Sequence, residues 1–234
     1  MTSLVSISSA LNPSSGAERP IYPTPAGAYF AVSDREDTPL RAAMFALLIS
    51  ADPTQRTSCA DESRFGAPTP PDASIVNQLL QLGWAATADR AAEYADSGSL
   101  EQVLPDLLAA LSGDGCALLA DQQGLQMAVA GFDERQAQGL AALSSEAVAL
   151  GERHRRLVAS PTVASPAAWA MVDAAGNSQL GVWPLFTGPA WFALVIRGRP
   201  RFAQPAFLHL VRSLLRRSAS PIPQLPGKQP GSVS

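Results

Sequence analysis

Ionisable and reactive side chains are scarce in this sequence. Charged residues make up 16% against 47% hydrophobic, with two histidines and two cysteines in 234 residues. That much apolar material supports a packed core and argues against global disorder. His154 and His209 have neither a second histidine four residues on nor a glutamate at metalloprotease spacing, so both read as solvated or half-buried residues rather than metal ligands. Cys59 lies in a polar, loop-like stretch and Cys116 in an apolar run; the pair has no metal spacing and is not expected to form a disulfide. Free thiols, and a start without the basic region of a secretory signal, point to the cytoplasm. No Gly-x-x-x-x-Gly-Lys-Ser/Thr loop is present, which excludes nucleotide binding of that kind. The chain is therefore not expected to be an enzyme, nor to hold a cofactor or metal. One uncharged stretch, 178–196, is interrupted by Pro184, Gly188 and Pro189 around Thr187. A spanning helix needs about 20 largely unbroken apolar residues. Two short strands around a Thr-Gly-Pro turn account for the stretch instead, and no transmembrane segment is expected.

Lysine is the other near-absence. Of 17 basic residues 16 are arginine, Lys228 being the exception. Residues 1–152 hold 19 acids and 7 bases, whereas 153–234 hold one acid, Asp173, and 10 bases. Such a split either orients the surface or is neutralised within the fold or across a dimer. The arginines cluster as Arg153, Arg155 and Arg156; Arg197, Arg199 and Arg201; and Arg212, Arg216 and Arg217. The first and third groups end expected helices, where cations favour the negative end of the dipole. Arginine also makes forked contacts to carboxylate or phosphate. Arg153, Arg155 and Arg156 are thus candidate partner-binding residues, facing an acidic protein surface or anionic headgroups.

The 20 prolines mark the organisation. Residues 1–32, Ser-rich and then carrying Pro20, Pro23 and Pro25, read as a flexible tail whose end is held by Tyr29 and Phe30. Residues 33–98 read as a small helical accessory region. Thr38 can cap and Pro39 can start a helix with Leu40, Met44, Leu47 and Leu48 on one face. After a polar loop, 52–71, comes a second helix bearing Ile75, Val76, Leu79, Leu80 and Leu82 and closed by Gly83. Helix, loop, helix and a Gly-Trp exit have the outline of a winged-helix fragment. Yet residues 34–98 carry 10 acids and five arginines, without a basic cluster on the second helix. A DNA reader needs cations to replace phosphate counterions, so no nucleic-acid partner is expected. Residues 99–218 form the main domain, and 219–234 a disordered tail.

The main domain is organised around Gly113–Ala159. Cys116 to Ala120 is a short apolar run, Asp121-Gln-Gln-Gly124 has turn chemistry, and Gln126 to Ala130 alternates polar with apolar, which together predict a β-hairpin. Asp133 can then cap a helix of six or seven turns. Upstream, Ser99-x-x-Gln102 is a capping box for a helix carrying Leu100, Val103, Leu104, Leu107, Leu108 and Leu111, in which Pro105 predicts a kink or a later start. Downstream, 166–173, 180–185 and 191–196 predict three strands, with Pro184 at an edge or a bulge. A final helix over about 205–217 presents Phe207, Leu208, Val211, Leu214 and Leu215.

Ala117-Leu-Leu-Ala-Asp121-x-x-Gly124-Leu125-x-Met127-Ala128, followed by Leu140-Ala-Ala-Leu143 in the next helix, resembles the roadblock family, the dynein-light-chain-like domains that bind small GTPases. The resemblance spans about 99–218, half of the chain. It implies an α/β (α+β) fold of roadblock/profilin-like type: a five-stranded antiparallel sheet sandwiched by helices, in the order helix, hairpin, long helix, three strands, helix. It also implies side-by-side dimers, homo- or heterodimeric, through the long helix and the strand after it.

That helix, about 133–159, offers two flanks. Leu140, Leu143, Ala147, Leu150, His154 and Leu157 run down one side and can cover the sheet. Small residues populate the other, and Ala141, Ser144, Ser145, Val148 and Gly151 are the candidate dimer-interface residues. Function is expected to be binding, regulation or scaffolding of a Ras-like small GTPase in signalling. The alternatives are a DNA-binding regulator that uses the N-terminal helices with the roadblock-like part as dimeriser, and a small-molecule sensor with Trp169, Trp183 and Trp191 lining a pocket.

Overall fold

The computed structural model describes residues 21–50, 73–87, 100–158 and 168–219. Cys59, the 52–71 loop, Ser99 of the capping box and the tail beyond 219 lie outside the described residues.

The hairpin forms where the turn chemistry puts it. Strands β1 (Ile21–Pro23) and β2 (Ala85–Thr87) belong to the N-terminal region; β3 (Ala117–Asp121) and β4 (Gln126–Ala130) are the hairpin, paired antiparallel with a register shift between Leu119 and Ala120. Asp121 builds the turn through one carboxylate oxygen, which accepts from the amides of Gln123 and Leu125, both at 2.9 Å. Gly124 takes φ 78° there, and an added Cβ would lie 3.1 Å from the Ala142 backbone, so the position requires glycine. β5 (Trp169–Val172), β6 (Ser178–Thr187) and β7 (Ala190–Arg197) complete a five-stranded antiparallel sheet of order β4-β3-β7-β6-β5. Pro184 lies in β6 beyond the point where β5 stops, so its missing donor faces no ladder on that side.

Strand periodicity sorts the core into two layers. Leu118, Ala120, Val182, Phe186, Trp191, Ala193 and Val195 point to one face of the sheet. Ala117, Leu119, Leu185, Phe192, Leu194 and Ile196 point to the other. On this second face lie α4 (Leu100–Leu111), continuous through Pro105, and α7 (Pro205–Ala219). The first face is covered by α5 (Glu134–Arg153), whose N-cap Asp133 accepts from the Gln136 amide at 2.8 Å, a cap worth about 1 kcal/mol. The helix expected over 133–159 is interrupted once. His154, at φ −106° and ψ 17°, ends α5, and a single further turn, α6 (Arg155–Val158), follows directly.

The N-terminal region departs most from expectation. Residues 21–32 are not tail: β1 pairs with β2, and α1 (Pro25–Val32) has Ala28, Ala31 and Val32 fully buried. The prolines mark a helix start here rather than disorder. Thr24 caps α1 by accepting from the Gly27 amide at 3.1 Å, and its hydroxyl donates to the Gly83 carbonyl at 2.8 Å. α2 (Pro39–Ser50) and α3 (Ala73–Gln81) follow, and Phe30 stacks on Trp84 with ring centres 3.8 Å apart. Ala28, Val32, Met44, Leu48 and Leu79 join the same apolar cluster as α4 and α7.

Candidate functional site

The flanks of α5 are reversed relative to the sequence reading. Ala137, Ala141, Ser144 and Val148 are buried against the chain's own sheet. Gly151 faces Trp169, where an added Cβ would lie 2.8 Å from Nε1. Ser145 is half-buried and donates to the Gln122 carbonyl at 3.0 Å. Of the five residues expected at a dimer interface, Ala141, Ser144 and Val148 are thus covered intramolecularly, Gly151 is packed on β5, and Ser145 anchors the hairpin. The physical reason is close approach: Phe186, Trp191 and Trp169 already fill the space above the sheet, so only small helix residues let α5 settle over them.

Three of the leucines face outward instead, while Leu140 of the same row is half-buried against the sheet. Leu143, Leu150 and Leu157 recur every seven residues and are 50%, 43% and 82% exposed. At 3.6 residues per turn Leu143 and Leu150 lie roughly 140° around the α5 axis from the buried stripe, and Leu157 lies in α6 beyond the interruption at His154. β5 lies beside this end of the helix. Its outer edge has no partner strand among the described residues. Its Met171, 62% exposed, points to the same side of the sheet as Trp169. Val172 is 60% exposed at the end of the strand. Trp169 Nε1 and Ser178 Oγ are buried without a hydrogen-bond partner.

The arginines separate by role. Arg153 and Arg156 are exposed near the end of this helical stretch. Arg155 is not free: its guanidinium donates to Asp34 Oδ1, and this bond raises the arginine above its usual range. Beside it Arg35 pairs with Glu152 at 3.5 Å. Arg212, buried, donates through Nε to the Leu48 carbonyl at 3.2 Å and ties α7 to α2. Arg197 lies 3.8 Å from Asp114 and 5.7 Å over the Phe132 ring. Asp34 and Arg35 were missed by sequence reasoning, because an Asp-Arg-Glu-Asp run before a capped helix looks like any polar loop and no local pattern names its distant partner.

The remaining candidates do not assemble into a reactive centre. His154 is exposed, and His209 is half-buried, with burial and then Arg212 pushing it below the usual histidine range. Cys116 is buried, its thiol donating to the Gly131 carbonyl at 3.2 Å. No group of three metal-ligating side chains occurs among the described residues. Trp183 lies on the opposite face of the sheet from Trp169 and Trp191, so the three cannot line one pocket.

No protein-family model matches the sequence, and no curated protein matches it. Among solved structures, the Roadblock/LC7 domain from Streptomyces avermitilis is 18% identical at a TM-score of 0.34, covering 52% of this chain and 94% of that one. MglB of Myxococcus xanthus is 14% identical at a TM-score of 0.36, covering 53% of this chain and 98% of that one. From α4 to α7 the elements run helix, hairpin, long helix, three strands, helix, the order expected from the sequence, with the single turn α6 after the long helix.

Proposed function

We propose that this chain is a non-enzymatic interaction module. It pairs with a second copy, or with a similar chain, through the leucine flank of α5 and the edge of β5, and it presents its surface to a Ras-like small GTPase. The observation that carries the pairing is the exposed series Leu143, Leu150 and Leu157 beside a strand edge without a partner among the described residues. A seven-residue spacing places Leu143 and Leu150 along one seam of α5, and Leu157 follows in α6. Covering each leucine is worth about 1–2 kcal/mol, and a two-fold interface uses every contact twice. The gross gain, on the order of 6–12 kcal/mol, is comparable with the roughly 4–15 kcal/mol lost on association. The leucines alone are thus marginal, and the edge of β5 supplies the rest.

The GTPase reading rests on the family resemblance of the hairpin and long helix. Exposed Arg153 and Arg156 supply cations for an acidic partner surface. Regulation follows if one nucleotide state is bound more tightly than the other, since a partner shifts an equilibrium only by its differential affinity. Among the described residues no helix is long and apolar enough to cross a membrane. The test is retention of candidate small GTPases, loaded with GDP or with a GTP analogue, on the immobilised chain. State-dependent retention is expected; equal and negligible retention of both forms counts against the proposal.

A further inference from the structure

We infer that the loop 33–38 is a strap that holds the C-terminal end of the pairing face in place and so couples the N-terminal helices to assembly. The inference rests on the pairing proposed above. The loop leaves α1, which packs beside α7 on one face of the sheet, yet its side chains reach α5 and α6 on the opposite face. It turns this corner at Phe186, where Arg35 lies 5.0 Å over the ring. Phe186 lies past the last residue of β6 that β5 pairs with, so the strap occupies a stretch that β5 leaves uncovered.

Two rungs join strap to helix, and they straddle the interruption at His154. Glu152, in the last turn of α5, pairs with Arg35; Arg155, the first residue of α6, pairs with Asp34. Asp34 is 8% exposed and also accepts from the Glu36 amide at 3.0 Å, which fixes its carboxylate. Arg41 of α2 braces the strap from behind. It donates to the carbonyls of Phe30 and Glu36 and lies 4.8 Å over the Phe30 ring. An isolated helical turn does not hold its shape in water. α6 is one such turn, and it carries Leu157. The strap supplies the tertiary contact that keeps it folded, so the third leucine of the stripe depends on residues more than a hundred positions away.

The test uses the full chain. Hydrogen exchange of the amides over 150–158 reads the strap, and the dimer dissociation constant from light scattering on dilution reads the coupling. Asp34→Asn is expected to lower protection over 154–158 by roughly tenfold, the loss of one charge-assisted hydrogen bond. It should weaken the dimer by roughly thirtyfold or more, since one leucine from each of the two protomers leaves the seam. The milder Glu152→Gln should shift both in the same direction by less, and it guards against a variant that misfolds. The double variant Asp34→Asn/Arg155→Gln should be no worse than Arg155→Gln alone, because the two residues form one rung. Unchanged protection in Asp34→Asn overturns the strap. Lowered protection with an unchanged dimer overturns its coupling to assembly. A wild-type chain that stays monomeric at every concentration overturns the pairing and the coupling together, while exchange still decides the strap.

Discussion

Two glycines in α5 provide a test of which way that helix faces. Gly139 is exposed, and a Cβ added there would meet nothing within 4 Å. Gly151 is half-buried, and a Cβ there would lie 2.8 Å from Trp169 Nε1, 3.4 Å from Cε2 and 3.5 Å from Cζ2. Replacing a helical glycine by alanine gains about 1 kcal/mol of propensity at either site. Gly139→Ala should therefore stabilise the chain by about that amount. Gly151→Ala gains the same term but drives a methyl group into an indole, and overpacking costs roughly 1–3 kcal/mol. The propensity term cancels in the comparison, so Gly151→Ala should lie roughly 1–3 kcal/mol below Gly139→Ala. Urea unfolding of both variants, at two protein concentrations well apart, measures the gap. Adding Trp169→Ala to Gly151→Ala should remove the clash and turn the glycine substitution stabilising. If Gly151→Ala proves as stabilising as Gly139→Ala, α5 is not seated on Trp169. If its cost instead changes with protein concentration, the small-residue flank is an interchain contact and the assignment of the two flanks is wrong.

Other outcomes follow from the same geometry. Leu143→Glu with Leu150→Glu should abolish dimers in light scattering while leaving the unfolding midpoint of the monomer within about 0.5 kcal/mol, as befits surface positions; loss of the fold would refute the outward assignment. His209 should make the chain acid-sensitive. Its proton affinity is lowered in the folded state, by burial and then by Arg212, so the unfolded chain binds the proton first as the pH falls below about 6.5. Its contribution is thus present above that value, is lost towards the folded-state pKa and is level below it. Thermal melts across that window should show wild type losing stability relative to His209→Gln as the pH falls, and a relative gain by wild type would contradict the sign.

The fold was legible because its local signals agreed with one another. Asp121 and Gly124 specified the hairpin turn, Asp133 specified the start of α5, and Pro184 specified a strand position with no ladder on one side. The same patterns were less informative about direction. A stripe of small residues signals close approach, but periodicity does not say whether the approaching surface is a second helix or the chain's own sheet. The aromatic residues Trp169, Phe186 and Trp191 decide it, and they come from strands distant in sequence. The segment 21–32 was misread for a different reason: Pro23 and Pro25 are as compatible with a capped helix start as with an irregular segment, and only burial of Ala28, Ala31 and Val32 distinguishes the two. The strap was invisible, since an ion pair spanning more than a hundred residues leaves no periodic trace.

The apolar cluster shared by α1, α2, α4 and α7 has a consequence for dividing the chain. Met44 and Leu48 are buried in the same cluster as Leu208, Val211 and Leu215. A fragment beginning near Ser99 would keep the five-stranded sheet and helices α4 to α7 but lose the lining of α7, leaving a raw greasy flank in water. Such a fragment is expected to clump or to seize a substitute cover. What looks from the sequence like an appendage covers one whole side of α7.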